Sequence, residues 1–153
     1  MKRILALILV LVLMISLVGC GTKSPDTSNK TGEISGKIVV WSWDVAAKSL
    51  EDAAVEFKKL HPDVTVEIED LGTEQVYEKL LTRLASKTGL PDVVTMEGAL
   101  IATYAAKFPK GFADMTKYVK TEDFLPVKIA EVTSNGKLVG FPWDGAPCGL
   151  FYR

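Results

Sequence analysis

Trp43, Asp44, Glu97, Trp143 and Asp144 are the residues of this sequence whose types and placing suit recognition chemistry. An indole presents a broad apolar face and a single N–H, which suits the C–H face of a sugar ring. A carboxylate accepts two or more hydroxyl hydrogen bonds and so fixes which hydroxyls lie beside it. Together such groups suit a neutral polyol. Most of them also have a plainer structural reading. Asp44 serves equally as the cap of a helix starting near Ala46, and Glu97 and Asp144 serve equally as solvated loop charges. Trp41 shares strand parity with Val39 and reads as core, whereas Trp43, at a strand's exit, reads as a ligand contact.

Equipment for other chemistries is missing from the sequence. The one histidine, His61, precedes Pro62 at an expected helix end, where an imidazole near the last carbonyls is a structural choice. No zinc-spaced Cys/His cluster, G-x-G-x-x-G, Walker loop or G-x-S-x-G occurs. Metal hydrolysis, dinucleotide chemistry and serine esterase chemistry therefore have no support, and neither a cofactor nor a metal is expected. The charge is nearly balanced, with 18 Lys plus Arg against 19 Asp plus Glu, so there is no basic field to attract nucleic acid.

The candidate residues need a scaffold, and the hydrophobic pattern supplies one. Ile38 to Trp43 is a β-branched and aromatic run that predicts a strand. Leu50, Ala53, Ala54, Phe57 and Leu60 repeat at helical spacing up to His61-Pro62, and Val64, Val66 and Ile68 alternate with polar residues as in a half-buried strand. A second helix is predicted from an N-cap at Thr73 through Val76, Tyr77, Leu80, Leu81 and Leu84 to a stop at Gly89. A third strand spans Asp92 to Met96, and a third helix runs from Leu100 to Phe108. Further on, Phe112 to Met115 reads as a packed loop, Thr121 to Ala130 as a short helix, and Ser134-Asn-Gly-Lys137 as a hairpin turn before a strand over Leu138 to Phe141. Strands alternating with helices imply right-handed crossovers and a largely parallel sheet covered on both faces. In such sheets the ligand crevice lies outside the carboxyl ends of the strands, which is where Trp43, Asp44 and Glu97 fall, with Trp143 and Asp144 after the hairpin.

The 153 residues suffice for one ordinary domain and not for two complete lobes. Lys2 and Arg3 followed by the aliphatic stretch Ile4 to Val18 have the form of an export signal, shorter than the ~20 apolar residues of a stable span. Leu17-Val-Gly-Cys20 resembles a bacterial lipobox, in which the Cys20 thiol is lipidated before cleavage. Loss of Lys2 and Arg3 would leave 16 cations against 19 anions. Cys148 would then have no partner for an internal disulfide. Gly21 to Gly36 is polar, with Pro25 and scarcely an apolar residue, and reads as a tether of ~5–6 Å × √n. The expected organisation is a signal over residues 1–19, a lipid-anchored Cys and tether over 20–36, and a folded domain over 37–153. The apolar Cys148-Gly-Leu-Phe-Tyr152 runs almost to Arg153, unlike the polar end expected of a domain. The expectation is a fragment.

With the lipobox and tether, Lys37-Ile-Val-Val-Trp-Ser-Trp-Asp44, Phe57-Lys-Lys-Leu-His-Pro62, Gly89-Leu-Pro-Asp-Val-Val94, and Asn135-Gly-Lys-Leu-Val-Gly-Phe-Pro142 followed by Gly149-Leu-Phe-Tyr152 form an ordered series. It resembles the amino-terminal part of the extracellular solute-binding lipoproteins (family 1) of ABC sugar importers and is similar in layout to their maltose-binding members. Trp43-Asp-Val-Ala-Ala47 and Phe108-Pro-Lys-Gly-Phe-Ala-Asp114 look most like the lactose- or arabinose-oligosaccharide-binding members. The resemblance implies a type II periplasmic-binding-protein-like, three-layer α/β/α lobe with a largely parallel sheet, whose second lobe is missing. It also implies a non-enzymatic protein, lipid-anchored on the extracytoplasmic face of the cell membrane, that closes on a sugar or oligosaccharide and delivers it to ABC permease subunits. By position, it places Trp43, Asp44, Glu97, Trp143 and Asp144 at the ligand. Two other readings stay open: a secreted glycoside hydrolase using Glu97 and Asp144, which needs them about 5–10 Å apart, and a truncated remnant that binds nothing.

Overall fold

The computed structural model describes residues 34–145 and residue 150. The expected signal, the lipobox with Cys20, the tether up to residue 33, and Cys148 with most of its apolar run lie outside the described residues. The described residues all belong to one compact unit. No helix among the described residues is long and apolar enough to cross a membrane.

The β-branched run folds as β1 (Gly36–Ser42), starting inside the segment read as tether. It lies at the centre of a parallel sheet of order β2-β1-β3, where β2 is Val64–Asp70 and β3 is Val93–Val94. The register pairs Ser42 with Asp70 and Trp41 with Val94. β3 is shorter than the sequence suggests, but Asp92 N–H donates to Val39 O and Thr95 N–H to Trp41 O, both at 2.9 Å, so pairing extends one residue past each end. Because β1 is central, the crossover to β2 and the return to β3 run in opposite directions, and right-handed connections then put α1 (Asp44–Leu60) and α2 (Thr73–Ser86) on opposite faces. The expected three-layer α/β/α arrangement follows.

Strand parity divides the core. Val39 and Trp41 face α2, where Trp41 is buried with Val76, Leu80 and Leu84, while Tyr104, Phe108 and Phe112 close the cluster from one side. Trp41 is core, as its parity requires. Against the other face lies α1, whose Ala47 is fully buried. Its first turn precedes the apolar repeat, and the helix starts at Asp44, two residues before the expected start near Ala46. α2 has Gly72, not Thr73, at its N-cap, with the Gln75 side chain accepting from Gly72 N–H at 3.4 Å.

α3 (Gly98–Lys107) leads into a second cluster of Val119, Val132 and Leu138, which Ile101, Met115, Phe124 and Ile129 join. Phe112 packs on the first cluster and Met115 on the second, so the loop between them couples the two cores. The helix expected over Thr121 to Ala130 is broken into a 3₁₀ turn (Thr121–Asp123) and α4 (Pro126–Glu131). Pro126 lacks an N–H to continue a helix and starts one instead. The hairpin is present as β4 (Thr133–Ser134) and β5 (Lys137–Leu138), shorter than expected. Asn135 at φ 51° and Gly136 at φ 73° supply the two left-handed residues of its tight turn.

Leu80 is 2% exposed at the centre of the main cluster. Leu80→Ala should cost about 2–5 kcal/mol through lost burial and the cavity left behind, read as a lower urea midpoint with an unchanged m-value.

Candidate functional site

The strand order reverses between β1 and β3, and in open α/β sheets that reversal is where loops part to leave a crevice. A hydroxyl pair fixes the two strand ends: Ser42 Oγ, fully buried, lies 2.9 Å from Thr95 Oγ1. Beyond this pair the chain leaves β1 through Trp43 and Asp44 and leaves β3 through Met96 and Glu97.

Trp43 occupies the N-cap of α1 in an extended conformation, and its carbonyl accepts the Ala47 N–H at 3.0 Å. Its indole is half-buried at the margin of the main core, 5.9 Å from the Tyr77 ring. One face is thus supported by packing. Asp44 stands at φ 46°, a left-handed conformation costing a non-glycine residue on the order of 1–3 kcal/mol. It is held there by its own N–H, which donates to Asp70 Oδ1 at 3.1 Å. The alternative reading of Asp44 as a helix cap is corrected, because α1 has no side-chain cap. The carboxylate sits exposed in the first turn instead, where the helix dipole favours a negative charge.

Glu97 is the N-cap residue of α3. Its N–H donates to the Tyr77 hydroxyl at 2.8 Å, and that hydroxyl donates to Glu97 Oε2 at 3.4 Å. Tyr104 Oη donates in turn to the Tyr77 carbonyl at 3.5 Å, with the two phenol rings 5.9 Å apart. Burial pushes the Tyr77 phenol up to about 12; the Glu97 carboxylate adds to the rise, and donation from the Glu97 N–H opposes it. Tyr77 and Asp70, which bond to the candidate residues, are absent from the sequence reading of the site. Tyr77 repeats in phase with Val76 and Leu80 and so looks like core, and its position one turn into the helix facing the strand ends is the signal available.

Trp143 and Asp144 lie elsewhere on the rim. Both are exposed, and both line a cleft of about 740 Å³ along the outer edge of β3, with Val93, Val94, Met96 and Phe112. Trp43 and Asp44 do not line it. The five residues therefore form two groups: Trp43 and Glu97 against Tyr77, with Asp44 next to Trp43 and held by Asp70, and Trp143 with Asp144 in the cleft. The loop after β3 joins them, since Met96 and Gly98 line the cleft on either side of Glu97. Among the described residues, no group of three His, Cys, Asp or Glu side chains is placed to hold a metal ion.

A sequence profile described as bacterial extracellular solute-binding protein matches residues 41–153. The lactose-binding protein of Rhizobium radiobacter is 33% identical over 127 residues, which cover 80% of this chain and 30% of that protein. Maltose-bound MalE3 of T. maritima superposes with a TM-score of 0.60 at 27% identity, over 70% of this chain and 28% of that one. The ABC transporter associated binding protein from B. animalis subsp. lactis, in complex with β-1,6-galactobiose, gives 0.59 at 26% identity, over 69% and 25%. The chain thus spans less than a third of the length of each of these relatives.

The bonding of Tyr77 predicts a spectroscopic result. Tyr77 should ionise near pH 12 when phenolate absorbance is followed, and Tyr77→Phe should remove that step. A phenol raised in the folded state contributes stability that is fully present below its unfolded value near 10 and is lost as pH rises towards 12. Stability should therefore fall across that alkaline window less steeply in Tyr77→Phe than in the parent.

Proposed function

This chain belongs to the bacterial extracellular solute-binding protein family, and we propose that it captures a sugar or oligosaccharide outside the cell for delivery to the membrane permease of an ABC importer. The observation that carries the reading is the Trp43 indole, half-exposed at the reversal of the strand order with Tyr77 behind it and the Asp44 and Glu97 loops on either side. A supported indole stacks on the C–H face of a pyranose, and the neighbouring carboxylates accept its hydroxyls. Trp143 and Asp144 supply a second aromatic and acceptor in the adjoining cleft. The relatives named for lactose or solved with maltose and β-1,6-galactobiose point to the same chemical class.

Binding, not hydrolysis, is the function proposed. A glycosidase needs two carboxyl groups flanking one bond, and Glu97 and Asp144 fall in different groups of the rim, both exposed. Lipidation at Cys20, which rests on Leu17-Val-Gly-Cys20 after an apolar run, would keep the protein at the extracytoplasmic face of the membrane, near its permease.

Isothermal titration of the protein, as its gene encodes it, with lactose, maltose and β-1,6-galactobiose tests the reading. At least one sugar should bind, and Trp43→Ala should weaken it about tenfold or more. A parent protein that binds none of a wide glycan panel ends the sugar reading. In cells given labelled palmitate, Cys20→Ser should abolish incorporation and release the protein from the membrane fraction.

A further inference from the structure

We propose that Tyr77 is a positioning residue that ties the two ligand loops of the rim together and so sets the spacing of the stacking indole from the accepting carboxylate; this rests on the sugar-binding reading of Trp43 and Glu97. Tyr77 belongs to neither loop. It sits in the first half of α2, where its ring lies 5.9 Å from that of Trp43 at a tilt of 49° and its hydroxyl receives the Glu97 N–H at 2.8 Å. One rigid side chain thus touches the exits of β1 and β3 at once. Its own backbone is steadied by Tyr104 Oη from α3, so the tie does not depend on a freely moving turn.

The hydroxyl has work that no other described group does. Glu97 is an N-cap residue, and its N–H points out of the helix, with the Tyr77 oxygen as its acceptor. The same oxygen donates to Glu97 Oε2 at 3.4 Å, so it restrains the backbone and biases the carboxylate direction. A ligand read by one flat ring and one carboxylate is discriminated by the distance and angle between them, because those decide which hydroxyl lies within reach when the ring is stacked. The ring of Tyr77 fixes one side of that relation and its hydroxyl the other.

Tyr77→Phe separates the two roles, since it keeps the ring against Trp43 and removes only the hydroxyl. Amide hydrogen exchange of the unliganded, isotope-labelled protein should show the Glu97 N–H exchanging about tenfold faster or more, consistent with one lost hydrogen bond. Amides of β1 and of α2 beyond residue 77 should stay unchanged. Titration with lactose, maltose and β-1,6-galactobiose should then show weaker binding by about tenfold and a smaller ratio between the best and worst sugar. A variant that is merely less stable would lower all three affinities alike and keep the ratio.

Unchanged exchange at Glu97 overturns the proposal whatever the sugars do. Faster exchange with the parent's affinities and ratio also overturns it, because the tie then has no bearing on recognition. If the parent protein binds no sugar, the proposed function falls, and the exchange measurement still decides whether Tyr77 holds the loop. Thermal midpoints of the two proteins, followed by far-ultraviolet circular dichroism, confirm that both are folded under the conditions used.

Discussion

Two pairs in register, Val40 with Val93 and Trp41 with Val94, hold β3 against β1, and the geometry of the rim depends on them. Segments about fifty residues apart in sequence are brought to one edge because β1 is the central strand and the chain must cross it to reach β3. Parallel pairs have no tight turn to fix their register, so the register must come from side chains. Here it comes from two kinds of restraint. Trp41 sits in the apolar cluster beneath α2, and the Ser42–Thr95 hydroxyl pair locks the strand ends. A slip of β3 by one residue would turn its side chains to the opposite face and carry Glu97 away from Tyr77.

The same dependence explains which parts of the molecule were legible from its residues. β1, β2, the bodies of α1 and α2, and the Asn135-Gly136 turn each carry a periodicity or a conformational demand that local sequence states outright. The start of α1 did not. Its first turn exposes Val45 at 79% and sits on the rim, so no apolar repeat announces it. The break before α4 is marked by Pro126, which the reading of one helix over Thr121 to Ala130 did not use. At the site, Trp43, Asp44 and Glu97 could be placed at strand exits by counting. Their relation to Tyr77 and Asp70 could not, since each of those partners stands on a different element and meets the loop only after the sheet has formed.

The rim also shows how strain and restraint are paired. Asp44 takes a left-handed conformation without being glycine, and the Asp70 carboxylate at the end of the paired strand β2 accepts its N–H. Glu97 is held in the same manner from α2. In both loops the backbone amide is fixed by a side chain from a neighbouring element, while the residue's own carboxylate stays at the surface. A loop restrained through its backbone loses little further conformational freedom on binding, which is the physical content of preorganisation. The cost falls on folding, where the core beneath Trp41 supplies the stabilisation.

Charge narrows the kind of ligand that such a rim suits. Asp44, Asp70 and Glu97 put three carboxylates on the loops and strand ends that carry Trp43 and Tyr77, and Asp144 adds a fourth in the adjoining cleft. Two cations on the surrounding elements are already engaged: Lys79 lies 2.5 Å from Glu69 Oε2 and over the Trp41 ring, and Lys128, which lines the cleft, is 2.8 Å from Glu131 Oε2. An anionic solute would meet repulsion from the carboxylates and would have to break an ion pair to gain either of these two cations. A polyol meets neither obstacle, because each hydroxyl donates to a carboxylate that already has solvent on its other side. On the proposed sugar-binding reading, the acidic surround would act by exclusion and the indoles by attraction, a combination that favours a neutral, ring-shaped ligand.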